Sequence, residues 1–228
     1  MRLKLIIKLF ICIIIVIVGF WGWFYIHKPG QFPIKTVKID GTYHYISQSM
    51  LKDIVLPQVS KGFFNLDVNK LQNQLAEIPG IQSAGIRRSW PSTVHVTLKE
   101  YSAKAYWNKH SIITKNALIF TPKVILNLSE LPHFYSNKVH AKLMVSTYNA
   151  LETLAKKNAF RIDDLIFTAN QWSVNLSDGT SIILGSNNPV EQLKKLLKVL
   201  ADVESNNKQI VRIDMRYTNG FAVDFKKK

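Results

Sequence analysis

Cysteine is almost absent from this sequence of 228 residues. The single one, Cys12, lies inside an apolar run near the N-terminus, and no cysteine follows it. The remainder of the chain therefore cannot form a disulfide, use a thiol nucleophile or build a thiolate metal site. It must fold by burying an apolar core, which a chain of this length can do in one or two domains.

Motifs of catalysis and metal binding are also missing. The six histidines show neither HxxxH nor HxH spacing, and there is no GxSxG, SxxK or P-loop. Asp163-Asp164 and Asp178 could form a carboxylate pair, but acids in such places are more typical of caps and turns. We therefore expect no enzyme, no cofactor, no metal and no small-molecule substrate. The alternative is an enzyme that is anchored in the membrane and faces the periplasm, according to the topology predicted below.

Acidic residues are few, with 15 Asp and Glu against 30 Lys and Arg. The resulting net charge of +15 would suit DNA. The cations are spread along the chain, however, and the membrane topology predicted below places the domain away from the chromosome. Acidic partners, anionic headgroups or a simply solvated surface remain as interpretations, and we expect no nucleic acid.

One long apolar run is present. Residues 9–26 carry no charge, with Arg2, Lys4 and Lys8 before them and Trp21, Trp23 and Tyr25 at their far end. Bulky aromatics take the place of the small residues that signal peptidase requires, so an anchor is favoured over a cleaved signal peptide. The cations favour a cytoplasmic N-terminus in the inner membrane; Lys28 alone favours the reverse. The predicted parts are a tail at 1–8, a transmembrane helix at 9–26 and a linker at 27–33.

Residues 34–101 show the pattern strand–helix–helix–strand–strand. Asp67 to Ile78 is apolar on one helical face, and Thr93 to Tyr101 alternates with Val94, Val96 and Leu98 on the buried side. A helix pair on one face of a three-stranded sheet is the expected packing.

Residues 102–228 are predicted to form a second, β-rich domain. Short alternating runs, a turn at "SDGT" and two helical stretches indicate an α+β domain dominated by antiparallel sheet. One helix is expected at about 139–157. The other begins with Asn188 as N-cap, Pro189 in the first position and Glu191 at capping-box spacing.

Four stretches carry a resemblance to a known family: "VKIDGTYHY" (37–45), "IQSAGIRRSWPSTVHVTLKEY" (81–101), "AYWN" (105–108) and "VRIDMRYTNGFAV" (211–223). With the basic N-terminus and the single span, they resemble the FtsQ/DivIB family of bacterial cell division proteins, FtsQ type. The resemblance covers nearly the whole chain. It implies that residues 34–101 are a POTRA domain (β-α-α-β-β) and residues 102–228 the family's β domain.

The resemblance also implies a function. Members are bitopic divisome scaffolds of the inner membrane at the division septum, and they are essential for septum formation. They bind FtsB and FtsL, contact other division proteins such as FtsK, and link early and late division components. Another POTRA-containing envelope-assembly adaptor is the alternative within the same architecture.

The last strand is the expected partner-binding site. If Gly220–Phe225 lies at a sheet edge, its backbone can pair with an added strand, while Arg216 pairs with a partner carboxylate and Tyr217 gives an aromatic anchor. Alternatively, Tyr217 packs into the domain's own core. The full predicted set for an FtsB-like partner is Arg216, Tyr217, Gly220, Phe221, Ala222, Val223 and Phe225.

A second set follows from the resemblance alone. Ile86, Arg88 and Glu100 match positions used for contacts with other division proteins. Ile86 could instead be a core residue, and Glu100 could pair with an arginine of its own hairpin.

Overall fold

The computed structural model describes residues 2–28, 30–41, 43–124, 130–204, 209–217 and 219–226. Side chains are described within those ranges except at 2–5 and 201–204. The chain divides into two compact units, with the main boundary between Glu100 and Tyr101.

The N-terminal helix α1 runs from Arg2 to Ile26. It begins earlier than the predicted span because the basic residues before the apolar run continue the helix. Its apolar part, Ile6–Ile26, has 21 residues and is long enough and apolar enough to cross a membrane.

The first unit contains the predicted β-α-α-β-β module. Its elements are β1 (Thr36–Asp40), α2 (Gln48–Val59), α3 (Val68–Ala76), β2 (Ile81–Ser89) and β3 (Thr93–Glu100). The sheet order is β1-β3-β2, with β1 parallel and β2 antiparallel to β3. Strand β2 is therefore an edge strand.

Local chemistry sets the helix starts in this unit. The Ser47 hydroxyl accepts a hydrogen bond from the Met50 amide at 3.3 Å, and the Asp67 carboxylate accepts one from the Lys70 amide at 2.9 Å. The apolar faces then meet over the sheet, where Leu71, Val94 and Val96 are fully buried. The predicted buried side of β3 is confirmed.

The second unit holds nine strands and two α-helices in its described part. They are β4 (Ala103–Trp107), β5 (Ser111–Thr114), β6 (Ile119–Phe120), β7 (His133–Tyr135), α4 (Ala141–Lys157), β8 (Ile162–Thr168), β9 (Gln171–Leu176), β10 (Ser181–Gly185), α5 (Pro189–Glu204), β11 (Ile210–Asp214) and β12 (Ala222–Phe225). A short 3-10 helix, Lys138–His140, precedes α4. The sheet order is β12-β11-β10-β9-β8-β7-β4-β5-β6.

This sheet is mixed, with antiparallel pairing dominant as predicted. Five of the eight described strand pairs are antiparallel. The parallel ones are β4–β7, β7–β8 and β10–β11. The last two come from helical crossovers through α4 and α5, which return the chain in the same direction.

The core of the second unit lies between the sheet and the two helices. Met144 and Leu151 of α4, Leu196 of α5, and Leu165 and Val174 of the sheet are fully buried there. Helix α5 begins as predicted, with the Asn188 side chain accepting from the Glu191 amide at 3.3 Å. The reciprocal half of the capping box is replaced by an ion pair from Glu191 to Lys194, 2.6 Å long.

Candidate partner-binding site

Strand β12 lies at one edge of the nine-stranded sheet. Its neighbour is β11, and no other described strand flanks it. The sequence-based condition for strand addition, a terminal strand at a sheet edge, is therefore met. The strand is shorter than the predicted Gly220–Phe225: it begins at Ala222.

The directions of the β11 backbone groups follow from one hydrogen bond. The Met215 amide donates to the Ile183 carbonyl of β10 at 2.8 Å. Backbone N–H and C=O groups point to alternate sides along a strand. Those of Asp214, the residue before Met215, therefore point towards β12.

The register then orients β12. Asp214 pairs with Ala222, so the Ala222 amide points at β11, and the Val223 amide points away from β11. The Lys226 amide, which donates to the Gln209 carbonyl at 2.9 Å, has the same direction as Ala222. Only alternate residues of β12 can therefore offer backbone groups to a partner, and Ala222 is not one of them.

Arg216 is held by a carboxylate of its own chain. Its Nε donates to both oxygens of Asp214 at 2.9 and 3.0 Å, and its Nη2 donates to Oδ2 at 2.6 Å. The hydrogen bonds from Arg216 hold the pKa of Asp214 below its ordinary value, although burial of the carboxylate opposes them. The same bonds raise the pKa of the guanidinium.

The Arg216 side chain remains accessible. It is 46% exposed, whereas that of Asp214 is 12% exposed. The predicted pairing with a partner carboxylate would therefore use the donors that Asp214 leaves over, from a guanidinium whose position is already fixed.

Tyr217 is 60% exposed and does not pack into the core, so the alternative role as a core residue is wrong. Together with Asn219, Gly220, Phe221 and Ala222 it lines a shallow surface depression. Phe221 is half-buried and packs against the core cluster. The depression thus combines the exposed ring of Tyr217 with Phe221, whose position is fixed by its contacts with the core. Val223 and Phe225, both half-buried, follow on the same strand.

The three POTRA positions have different environments. Ile86 is half-buried and packs against the core of the first unit, which agrees with the core interpretation. Arg88 is exposed on edge strand β2 and donates through Nη1 to the Phe63 carbonyl at 3.1 Å. Its guanidinium also lies 5.9 Å from the centre of the Phe63 ring.

Glu100 is a structural residue of the first unit. Its side chain is only 6% exposed. It accepts hydrogen bonds from the His44 and Tyr45 amides at 2.8 to 3.0 Å and contacts the His44 ring nitrogen Nδ1 at 3.0 Å. The predicted pairing with an arginine of its hairpin is wrong, because the loop before α2 occupies the carboxylate instead.

Sequence reasoning missed the role of Asp214. The signal was present in "IDMRY", since residues two apart on a strand share a face. The described residues contain no group of three or more His, Cys, Asp or Glu placed to hold a metal ion.

Comparison with family models gives two matches in the order of the two units. Residues 32–101 match the model described as POTRA domain, FtsQ-type. Residues 105–216 match the model described as cell division protein FtsQ/DivIB, C-terminal. The second match ends at Arg216, so Tyr217 and β12 lie beyond it.

Curated relatives agree with the models over most of the chain. A cell division protein FtsQ of Methylomonas methanica is 24% identical over 224 residues, covering 96% of this chain and 90% of the relative. Proteins of the same name from Xanthomonas campestris and Coxiella burnetii are 26% and 25% identical and cover 85% and 88% of this chain. This chain covers 70% and 84% of those relatives.

Proposed function

The chain belongs to the FtsQ/DivIB family of cell division proteins, and from that premise we propose that it is a non-enzymatic scaffold of the divisome. As a single-pass membrane protein of the division site, it would bind FtsB- and FtsL-like bitopic proteins and link early to late division components at the septum. The observation that carries the proposal is the edge strand β12, next to a fixed arginine and an exposed tyrosine.

Backbone pairing would supply the general affinity of this site. A partner strand added beside β12 would pair with the outward groups of alternate residues, beginning at Val223. Such pairing depends little on sequence, so specificity must come from side chains. Tyr217 offers a large aromatic surface with few rotatable bonds, which is typical of binding hot spots.

Arg216 would select the partner's charge. The hydrogen bonds to Asp214 fix its guanidinium, so little side-chain entropy is lost when a partner carboxylate joins the pair. A second acid would also bring negative charge close to Asp214, and the neighbouring Arg212 offsets part of that repulsion. We therefore infer a partner segment that is a β-strand with an acidic residue beside it.

The POTRA domain would provide a separate contact surface. Ile86 and Arg88 lie on its edge strand β2, and a further division protein such as FtsK would bind there. Glu100 would act indirectly, because its carboxylate shapes the loop that contains His44.

The orientation proposed for this role has a cytoplasmic N-terminus and both folded units in the periplasm. Arg2, Lys4 and Lys8 precede the apolar segment, and Lys28 is the first cation after it. This asymmetry supports retention of the N-terminus in the cytoplasm.

The test is co-isolation of the tagged full chain from solubilised membranes. FtsB- and FtsL-like proteins should be recovered with the wild-type chain and reduced with Tyr217→Ala. The matched control is Tyr135→Ala, which removes another exposed tyrosine of the same unit and should leave recovery unchanged. Equal recovery of both partners with all three chains would place the site elsewhere. Absence of the partners from the wild-type sample would contradict the proposal itself.

A further inference from the structure

Trp90 lies at the tip of the β2–β3 hairpin and is 76% exposed. It has the highest exposure of the large apolar side chains of the POTRA domain, above Leu56 at 58%. An indole combines an apolar body with a polar N–H, and tryptophan is enriched where membrane meets water. The scaffold function proposed above gives this side chain no role.

The hairpin tip is bonded to the start of the domain. The amides of Lys35 and Thr36 donate to the Ser92 carbonyl at 2.9 and 3.3 Å. Lys35 is nine residues beyond Ile26, where α1 ends. Nine residues span at most roughly 30 Å even when extended, which limits the distance from the tip to the membrane exit.

A chain of contacts in the same unit shortens that distance. The Asn65 side chain donates to the carbonyl of His27, one residue after α1, at 2.9 Å. The Phe63 amide donates to the Phe32 carbonyl at 2.8 Å. Arg88, two residues before Trp90, donates to the Phe63 carbonyl at 3.1 Å. The loop at 63–65 therefore connects the end of the anchor helix to the hairpin that carries Trp90.

Positive charge collects around this end of the domain. Five exposed cations lie on the linker, the loop and the hairpin: Lys28, Lys35, Lys61, Arg87 and Arg88. Asp67, which caps α3, is the nearest acid along the chain after that loop. Cations close to a bilayer that contains anionic lipids are attracted to its surface.

We propose that the β2–β3 tip is a second membrane contact. Trp90 inserts its indole into the headgroup region of the bilayer that holds α1, and the surrounding cations bind anionic phospholipid headgroups. The occupant is a lipid surface because the tip is tied to the anchor's exit and its charge is opposite to that of the lipids. Such a contact would restrict the POTRA domain's rotation above the membrane. It does not depend on the partner-binding site proposed for β12.

The experiment uses the full chain with Trp21→Phe and Trp23→Phe, reconstituted in vesicles of phosphatidylethanolamine and phosphatidylglycerol. Three tryptophans remain, and Trp107 and Trp172 are only 2% and 4% exposed. Brominated lipid should quench part of the emission. Adding Trp90→Ser should abolish that quenching, with an unchanged thermal melt followed by far-ultraviolet circular dichroism confirming that the POTRA domain still folds.

Two further measurements test whether Trp90 is in contact with lipid or with solvent, and whether the cations contribute to the contact. Aqueous iodide should quench Trp90 less in vesicles than in detergent. Vesicles without phosphatidylglycerol, or the variant Arg87→Gln, should reduce quenching by the brominated lipid. Emission unaffected by brominated lipid, with Trp90 fully open to iodide, would overturn the proposal. Quenching that is identical with and without phosphatidylglycerol would overturn the role of the cations.

Discussion

Arg216 and Asp214 form an ion pair across a spacing of two residues, with the shortest contact, Nη2 to Oδ2, at 2.6 Å. The carboxylate also accepts the Arg216 amide at 3.1 Å. It therefore fixes both the backbone and the side chain of Arg216. The predicted binding residue is positioned by Asp214, the last residue of β11, before any partner arrives.

The pair predicts a specific dependence of stability on pH. Because the pKa of Asp214 is lowered in the folded protein, its contribution is present above its ordinary pKa of 3.8. That contribution is lost as the pH falls through the lower folded value. Asp214→Asn should therefore destabilise the chain more at pH 7 than at pH 3. Chemical denaturation at the two pH values measures this.

The matched control for this prediction is Asp224→Asn. It removes the same charge from an exposed position on β12 and should change stability by no more than about 0.5 kcal/mol at pH 7. Equal losses for the two variants at pH 7 would show that the pair with Arg216 adds nothing to stability.

Membrane orientation can be tested with reporters fused after Lys228. The cations before α1 predict active alkaline phosphatase and non-fluorescent ordinary GFP at that position. Changing Arg2, Lys4 and Lys8 to Gln removes the positive charge before α1 and should produce chains in both membrane orientations. Fluorescent GFP on the unmodified chain would reverse the topology and remove the periplasmic scaffold role.

Local patterns predict most of the elements closely. The helical periodicity over 67–78 corresponds to Val68–Ala76, and the alternation over 93–101 corresponds to β3. Both patterns work because burial on one face is a local property of the sequence. The order of elements in the POTRA domain follows for the same reason.

Strand β7 could not be predicted in this way. His133–Tyr135 is too short to show alternation, and its pairing partners β4 and β8 lie far along the chain on either side. The parallel direction of β7–β8 and β10–β11 could not be predicted from local patterns either, because it depends on how the crossover helices α4 and α5 return the chain. At the candidate site, the sequence predicts an edge strand and an exposed arginine. Which amides of β12 face outward depends on its register with β11, and that register cannot be read from the sequence.

Glu100 should be important for folding. Glu100→Ala removes an almost buried carboxylate that accepts hydrogen bonds from the amides of His44 and Tyr45. Hydrogen bonds to a charged group contribute about 1.5–3 kcal/mol, so we expect a clear drop in melting temperature. Lys99→Ala, an exposed neighbour on β3, should leave the melt nearly unchanged. Similar melts for both variants would contradict the structural role.

Tyr217 should affect binding without affecting folding. Because the ring is 60% exposed, Tyr217→Ala should change stability by less than about 0.5 kcal/mol. If it is a hot spot, the loss of binding free energy should be on the order of 2 kcal/mol, roughly thirtyfold in affinity. Titration of an FtsB-like partner segment against the full chain in nanodiscs measures the affinity. An unchanged affinity would show that Tyr217 does not contribute to partner binding.

Proline substitutions can separate the two rows of backbone groups on β12. The Val223 amide points away from β11, so Val223→Pro removes a donor that only a partner would use, and edge strands tolerate proline there. Ala222→Pro removes an amide that faces β11 and should destabilise the sheet edge. We therefore expect Val223→Pro to abolish partner binding with a near-normal melt, and Ala222→Pro to lower the melting temperature. Full affinity in a folded Val223→Pro chain would exclude strand addition, even if Tyr217 still proved necessary for binding.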